Sequence, residues 1–355
     1  FLPRNSPIVA CTATANDRVV EDVLEQLGRD VILKRGPLTR DGLSLAVLDL
    51  QSQAHRLAWL AENLPRLTGT GIVYCLTKRD VEHVSAWLNS KGIEALPYHG
   101  GLANEEREET ERRLLANECK VVVATKALGM GFDKPDLHFV IHFQMPGSVI
   151  EYYQQVGRAG RQLDTSIGIL LTGVEDAEIH NYFIDTAFAS QSEIDQVLRA
   201  LEASDTSMRL MDLEGVVNLQ RRRLLNLLKN LEVDGYIFSE GFYGPWRRSA
   251  QPYISNSDHH EAISRQRLLE WEQMQDYATG EIECRMMFLQ MALDGPTPHL
   301  CGICDVCNGA AQENPFQFNR SYDQRMAREA SEFLRNQPIE IQPRKQWVLR
   351  DERAE

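Results

Sequence analysis

No G-x-x-x-x-G-K-[ST] loop occurs anywhere in the 355 residues, so the chain has no glycine-rich cradle for the phosphates of a nucleotide. An acidic DExH cluster after an apolar strand is missing too; Asp351-Glu352 lies in a charged tail and is no substitute. No apolar run approaches membrane-spanning length, and the opening FLPRNSP lacks the charged-then-apolar layout of a signal peptide. Membrane partners are therefore not expected, and the chain reads as cytoplasmic. Positive charge is also short: 38 Lys and Arg against 51 Asp and Glu leave a net charge of −13. This excludes a body coated in basic surface for gripping phosphate, although a local groove can be positive on an acidic body. Cysteines number seven, and Cys11, Cys75 and Cys119 are scattered in or beside apolar runs, where free thiols pack as small hydrophobes. A disulfide framework does not fit that distribution.

What is present suffices for two or three domains with real cores, with 43% apolar and 25% charged residues. Ile8–Cys11 is strand-like, and Val19, Val20, Val23, Leu24 and Leu27 repeat at helical spacing until Gly28. From Leu43 to Leu171 strands and helices alternate. Leu43–Leu50, Gly71–Leu76, Val121–Ala124, Val140–Phe143 and Ser166–Leu171 read as strands, with a short one before Pro97-Tyr98-His99. Arg79–Leu88 and Glu105–Leu115 read as helices. This rhythm predicts an α/β fold, a parallel sheet covered by helices on both faces.

The stretch from Val121 to Arg161 organises the chain. A β-branched run ends at Thr125, and a Gly129-Met130-Gly131 loop follows. A second strand and the Pro146-Gly147 turn lead to a helix from Ile150, whose face is expected to carry Gln154, Gly157, Arg158 and Arg161. Two guanidiniums three residues apart, with small residues between them, suit a polyanion such as a triphosphate. The run ATKALGMGFDKPDLHFVIHF, followed by YYQQVGRAGR, resembles the last two motifs of the RecQ family of DNA helicases. GIVYCLTKRDVEHV and ALPYHGGL resemble the family's fourth motif and the segment beside it, so the likeness runs through the first half of the chain.

The resemblance implies an ATP-dependent 3′–5′ DNA helicase whose ATP lies between two RecA-like lobes. Residues 41–190 correspond to the second lobe, and 1–40, with its Thr12-Ala13-Thr14-Ala15, to the end of the first. Gln154, Arg158 and Arg161 would face the nucleotide, one arginine acting as a finger on the γ-phosphoryl; which one is not legible in the sequence. Gly131, Asp133 and Gly157 would adjoin the nucleotide, and Thr77 and Thr125 would touch single-stranded backbone. The absent lobe would supply the phosphate-binding lysine and the Mg²⁺ ligands. The chain alone is expected to be inactive, a monomer working in cis with that lobe on single-stranded, duplex or junction DNA, in a bacterial nucleoid setting.

Residues 191–255 change character. Helical faces at Ile194–Leu201, Leu210–Val216 and Asn218–Leu231 precede two strand-like runs, Gly235–Phe238 and Tyr243–Arg248, an order that suggests a winged helix-turn-helix. Arg221, Arg222, Arg247 and Arg248 are its candidate DNA contacts. Phe242, Tyr243 and Trp246 at the hairpin could stack on an end base pair or pack in the core. Residues 256–312 form a helical module with Cys284 and the loop Cys301, Cys304 and Cys307. The spacing C-x16-C-x2-C-x2-C fits a structural Zn²⁺ site, and the RecQ family carries a module of this form. A redox C-x-x-C pair is the rival reading, but it leaves two cysteines without a role. In the usual family order zinc follows the lobe directly; here the winged-helix-like segment lies between them. Residues 313–355 read as a polar tail or linker with one helix, Tyr322–Asn336. Two other functions compete: a DNA-binding zinc and winged-helix module without motor activity, and an RNA helicase.

Overall fold

The computed structural model describes residues 8–338 except 13, 15, 29, 30, 37, 130, 240, 242, 243, 256 and 309–317. The chain divides into two compact units. One joins the residues up to His180 to Arg267–Gln337; the other contains Asn181–Gln266.

The first unit is built on six parallel strands: β1 (Leu43–Asp49), β2 (Gly71–Tyr74), β3 (Ala95–Tyr98), β4 (Val121–Ala124), β5 (Phe139–His142) and β6 (Ser166–Thr172). They lie in the order β1-β6-β5-β2-β4-β3. Every residue of the inner strands β2, β4, β5 and β6 is buried, which is why they read as unbroken apolar runs. Pro97 sits in β3, at an edge of the sheet, where a missing N–H costs no ladder bond.

Helices α1 (Asp17–Leu27), α2 (Gln53–Asn63), α3 (Lys78–Ser90), α4 (Asn104–Leu115), α5 (Val149–Val156) and α6 (Asp176–Asp185) precede or follow these strands in turn, except that β4 leads to β5 through a loop with no helix. The pleat sends Ile72, Val122 and Val140 to one core, and Val73, Val123 and Ile141 to the other. Tyr152 and Val156 of α5 complete the first core, and Leu57, Trp59, Val84 and Leu88 of α2 and α3 complete the second.

The second unit has α7 (Gln191–Glu202), α8 (Leu210–Val216) and α9 (Arg221–Val233), then an antiparallel pair of β7 (Ile237–Ser239) and β8 (Trp246–Arg248). Met208 bridges Trp246 of β8 through two 2.8 Å backbone bonds, adding the short third strand of a winged-helix arrangement. Leucines 213, 224, 227, 228 and 231 pack its core with Trp246. That burial places Trp246 in the core; Phe242 and Tyr243 lie outside the described residues.

The chain continues through α10 (Ser257–Thr279), α11 (Arg285–Ala292) and α12 (Gln324–Arg335). Cys284 is the N-cap of α11.

Three expectations are corrected. Residues 8–11 form no strand and are exposed, since no other described strand pairs with them. The helix expected within the polar tail is present as α12, but it does not lie free: it covers α2 and α3, where Trp87 meets Phe333 at 5.3 Å and Trp59 Nε1 donates to the Asn319 carbonyl at 2.6 Å. Finally, α5 ends at Val156, before the arginines. Arg158 N and Ala159 N turn to the carbonyls three residues back, and Gly160 takes φ 69°, where an added Cβ would collide with Ser166 Oγ.

His142, at the end of β5, is wholly enclosed between Tyr74 and Tyr152, with Nε2 2.6 Å from Gln155 Oε1. Burial pushes its imidazole down to about 4, with the Gln155 bond partly opposing. The unfolded chain therefore takes up this proton near pH 6.5 while the fold resists it. Stability from this group is fully present above about 6.5 and is lost toward pH 4, by roughly 3 kcal/mol. Asp176 has the opposite sign: burial raises it to about 6 despite Arg56 nearby, so its contribution is lost as pH rises from about 4 to 6. We predict that His142→Phe flattens the acid limb of stability between pH 6.5 and 4, measured by denaturant melts, with the Asp176 effect common to both proteins. Parallel limbs in variant and parent would refute the assignment.

Candidate functional site

In a parallel sheet the strand ends at the carboxyl side gather loops that can hold a ligand. Here the most developed of these loops follows β4. Thr125 N donates to the Tyr98 carbonyl at 3.1 Å, and Leu128 N to the Thr125 carbonyl at 3.1 Å, so the chain turns at once. Lys126 and Ala127 are exposed, and Leu128 is buried as an anchor. Gly131 has φ 85° and is exposed.

This loop is tied to the turn after α5 by both arginines. Arg158 is half-buried, and its Nη1 donates to the Phe132 carbonyl at 3.0 Å. Below it Tyr74 donates its hydroxyl to the Leu128 carbonyl at 2.8 Å; burial pushes that phenol up to about 12, with Arg158 pulling the other way. Arg161 is 41% exposed, and its Nη1 lies 2.6 Å from an Asp133 oxygen that is itself well exposed. An exposed pair of this kind contributes only about 0–1 kcal/mol and exchanges readily with another anion. The two guanidiniums differ accordingly: one is built into the loop, the other is open to a ligand.

Gln154 is exposed and donates through Nε2 to Thr14 Oγ1 at 2.7 Å. Gly157 caps α5, its N–H donating to the Tyr153 carbonyl at 2.9 Å. The loop from Thr125 thus runs from the carboxyl end of β4 back to the start of β5, and the structure brings its later part, with Asp133, against the turn that carries Gly157, Arg158 and Arg161, while Thr125 stays at the β4 end and Gln154 on the last turn of α5. Thr77 is less available: it N-caps α3, accepting from Asp80 N at 3.1 Å and donating to Asp80 Oδ2 at 2.6 Å. Arg40 was not anticipated; its Nη2 reaches the carbonyls of Gly157 and Ala159 at 2.7 and 3.2 Å. It lies outside the motifs, so nothing in the local pattern marks it.

The four cysteines converge. Their Sγ atoms all lie within 4.8 Å of one another, with Cys284–Cys301 at 3.4 Å, Cys284–Cys304 at 3.9 Å and Cys301–Cys307 at 4.0 Å. These separations are far beyond a disulfide bond and match the roughly 3.8 Å edge of a tetrahedral M²⁺ thiolate site. N–H groups of Met287 and Cys301 point at Cys284 Sγ, and those of Arg285 and Cys307 at Cys304 Sγ, at 3.3–3.4 Å. Such donors favour thiolate over thiol. The donor set therefore fits a metal ion. His299 is exposed and its Nδ1 lies 3.0 Å from the Thr297 carbonyl, away from the thiol set. By contrast, burial raises the Cys75 thiol, and raises that of Cys119 to about 11, as befits packing residues.

The loop of this metal cluster is joined to β1. Asp305 N donates to the Leu45 carbonyl at 2.9 Å, and Val47 N donates to Asp305 Oδ2 at 3.0 Å. Arg285, next to Cys284, pairs with Asp305 at 3.0 Å. Asp305 lies inside the cysteine loop, and sequence spacing does not disclose this role.

In the second unit most of the expected arginines are occupied. Arg221 pairs with Glu214 at 3.1 Å, Arg248 with Glu202 at 3.0 Å, and Arg247 donates to the Asp205 carbonyl at 2.7 Å. Arg222 is exposed on α9, with Asn226, Lys229 and Asn230 exposed further along the helix. The helical spacing of these residues was the available signal for the last three.

If Arg158 is the permanent tie on the loop and Arg161 the exchangeable one, Arg158→Ala will speed hydrogen exchange of the amides at 128–133 well beyond the smaller increase that Arg161→Ala causes. Equal exchange in the two variants would contradict this division.

Residues 56–162 match the helicase conserved C-terminal domain family. The chain is 32% identical over 228 residues to the probable ATP-dependent DNA helicase RecS of Bacillus subtilis (strain 168), covering 62% of this chain and 46% of RecS. It is 38% identical over 176 residues to the RecQ-like DNA helicase BLM of Xenopus laevis, covering 48% of this chain and 13% of BLM. Among solved structures, S. cerevisiae Dbp5 bound to RNA and ADP BeF3 aligns with 51% of this chain and 50% of its own, at 23% identity and a TM-score of 0.46. The chain spans less than half the length of these curated relatives. Residues 56–162 thus match the helicase conserved C-terminal domain family, in a chain that is similar over part of its length to RecQ-type DNA helicases.

Proposed function

We propose that this chain supplies the arginine-bearing wall of an ATP site, completed by a P-loop-bearing lobe, in an ATP-dependent DNA helicase. The observation that carries the reading is the unequal tethering of Arg158 and Arg161 to the loop after β4. Arg161 is the finger: it is exposed, and its carboxylate partner is one that a triphosphate, with more charge, displaces. The guanidinium then neutralises charge on the γ-phosphoryl oxygens as the bond to the leaving group stretches. Gln154, on the last turn of α5, would orient the attacking water. In this reading the opposing lobe brings the phosphate-binding lysine and the Mg²⁺ ligands.

Displacement of Asp133 loosens one of the two ties on the loop that begins at Thr125. Thr125, Lys126 and Gly131 lie along this loop, where backbone amides and a lysine can take phosphates of a single strand. Nucleotide and strand then act on the same element, and each alters the other's affinity by linkage. In the second unit Arg222, Asn226 and Lys229 on α9 suit the groove and phosphates of a duplex. The relatives are named DNA helicases, which favours DNA over RNA. A zinc and winged-helix module without motor activity would leave the paired arginine tethers without purpose.

Purified alone, the chain is expected to show no ATP turnover. In the protein that also carries the P-loop lobe, Arg161→Ala should lower kcat by about 10³-fold or more with KM for ATP little changed. Turnover within twofold of the parent would remove Arg161 from the finger role.

The metal we assign is a structural Zn²⁺ held by Cys284, Cys301, Cys304 and Cys307, with no open position for catalysis. Native mass spectrometry should find one zinc per chain, lost in Cys304→Ser together with thermal stability. Retention of stoichiometric zinc by that variant would disprove the four-thiolate set.

A further inference from the structure

Between α1 and β1 the chain runs through Leu38, Thr39 and Arg40, and each of the three is tied to a different part of the first unit. The Leu38 carbonyl accepts the Tyr153 hydroxyl of α5 at 2.7 Å. Thr39 Oγ1 accepts from Gln290 Nε2 of α11 at 3.2 Å, and Gln290 is itself buried. Arg40 Nη2 donates to the carbonyls of Gly157 and Ala159, the residues on either side of Arg158.

These two carbonyls lie past the end of α5, where helix carbonyls lack intrahelical partners and the helix dipole is negative. A guanidinium answers both needs, and its planar nitrogen with two hydrogens reaches both acceptors at once. Gly157 and Gly160 have no side chains to anchor the turn; besides Arg40 it is held by the buried Ala159 methyl, by Gly160 N–H to the Leu137 carbonyl at 2.9 Å and Gln162 N–H to the Pro135 carbonyl at 3.0 Å, and by short-range bonds, none of which fixes the Gly157 and Ala159 carbonyls that flank Arg158.

We infer that Arg40 is the positioning residue for the arginine turn: it fixes the peptide planes from which Arg158 and Arg161 project. The inference rests on the nucleotide reading above, because the turn matters to turnover only if Arg161 meets a phosphate. Arg40 itself is spent on carbonyls and touches no substrate. Through Thr39 and Gln290, the same strap links the turn to the helix that Cys284 caps. Loosening the turn by about an ångström is the kind of misplacement that lowers kcat by roughly 10- to 100-fold without weakening substrate binding.

The test uses the protein carrying both lobes, with Arg40→Ala, Arg40→Lys and Arg161→Ala assayed side by side for kcat and KM of ATP hydrolysis. The expected pattern for Arg40→Ala is a 10- to 100-fold fall in kcat with KM within about threefold. Arg40→Lys, whose ammonium can bridge both carbonyls, should recover most of the loss. Hydrogen exchange on the 355-residue chain should show faster amides at 158–160 in Arg40→Ala, with β4 and β5 unchanged. A purely structural cap would lower the melting temperature, raise exchange across the sheet as well and leave kcat per folded molecule intact. If Arg40→Ala keeps its kcat while Arg161→Ala loses it, the positioning role is wrong and the nucleotide reading stands. If Arg161→Ala also keeps its kcat, both fall together. Should Arg40→Ala fail to fold, Arg40→Lys and Arg40→Gln decide: kcat equal to the parent in the glutamine variant overturns the role, and a graded loss supports it.

Discussion

Two guanidiniums from one turn hold the same loop by bonds of different kinds, and the working of the site follows from that difference. Arg158 donates to a backbone carbonyl in a half-buried setting, where no competing anion can replace the acceptor. Arg161 meets a carboxylate in solvent, where the attraction is small and a more highly charged anion wins. In the proposed function, a loop held by one permanent and one exchangeable tie would have two states between which a bound anion selects. Both ties require α5 to stop where it does, because a helix continued through Arg161 would carry the two side chains past the loop. Gly160, at φ 69°, enforces the stop.

The metal cluster belongs to the same body. Its loop lends Asp305 to β1, at the outer position of the sheet, so that N–H and carbonyl groups otherwise open to another strand are satisfied. Met286 and Leu289 of α11 share a core with Val140, Tyr152 and Val156. The intervening Asn181–Gln266 is a compact unit with its own core. Its insertion is mild for the lobe, because the chain leaves at His180 and soon reaches Trp271 after returning, and the two rings stack at 4.1 Å. A domain inserted between neighbouring points leaves the host's packing intact.

Much of the fold was legible because buried parallel strands are short, β-branched and unbroken. Val121–Ala124 and Ser166–Leu171 could be read almost to the residue. The metal set was equally plain, since ligand spacing is a local property of the chain. Helix α2 was not separated from its surroundings, and α12, though legible as a helix, gave no sign of docking on the lobe, because the partners of both lie far off in sequence: Trp59 bonds to Asn319, and Trp87 packs on Phe333. The strand expected at Ile8–Cys11 failed for the converse reason. A β-branched run becomes a strand only where a neighbour offers a ladder, and the described residues offer none there.

Composition and motif spacing alone determined that this chain carries a parallel α/β lobe, a four-thiolate set and an arginine pair suited to a polyanion. Those properties depend on residue types a few positions apart, which local sequence records directly. Tertiary structure decided the roles within the pair, the fate of most arginines in the inserted unit, and the part played by Arg40 and Asp305. A side chain's availability depends on which carbonyls and carboxylates the fold brings beside it, and Arg40 lies 117 residues from the first carbonyl it holds.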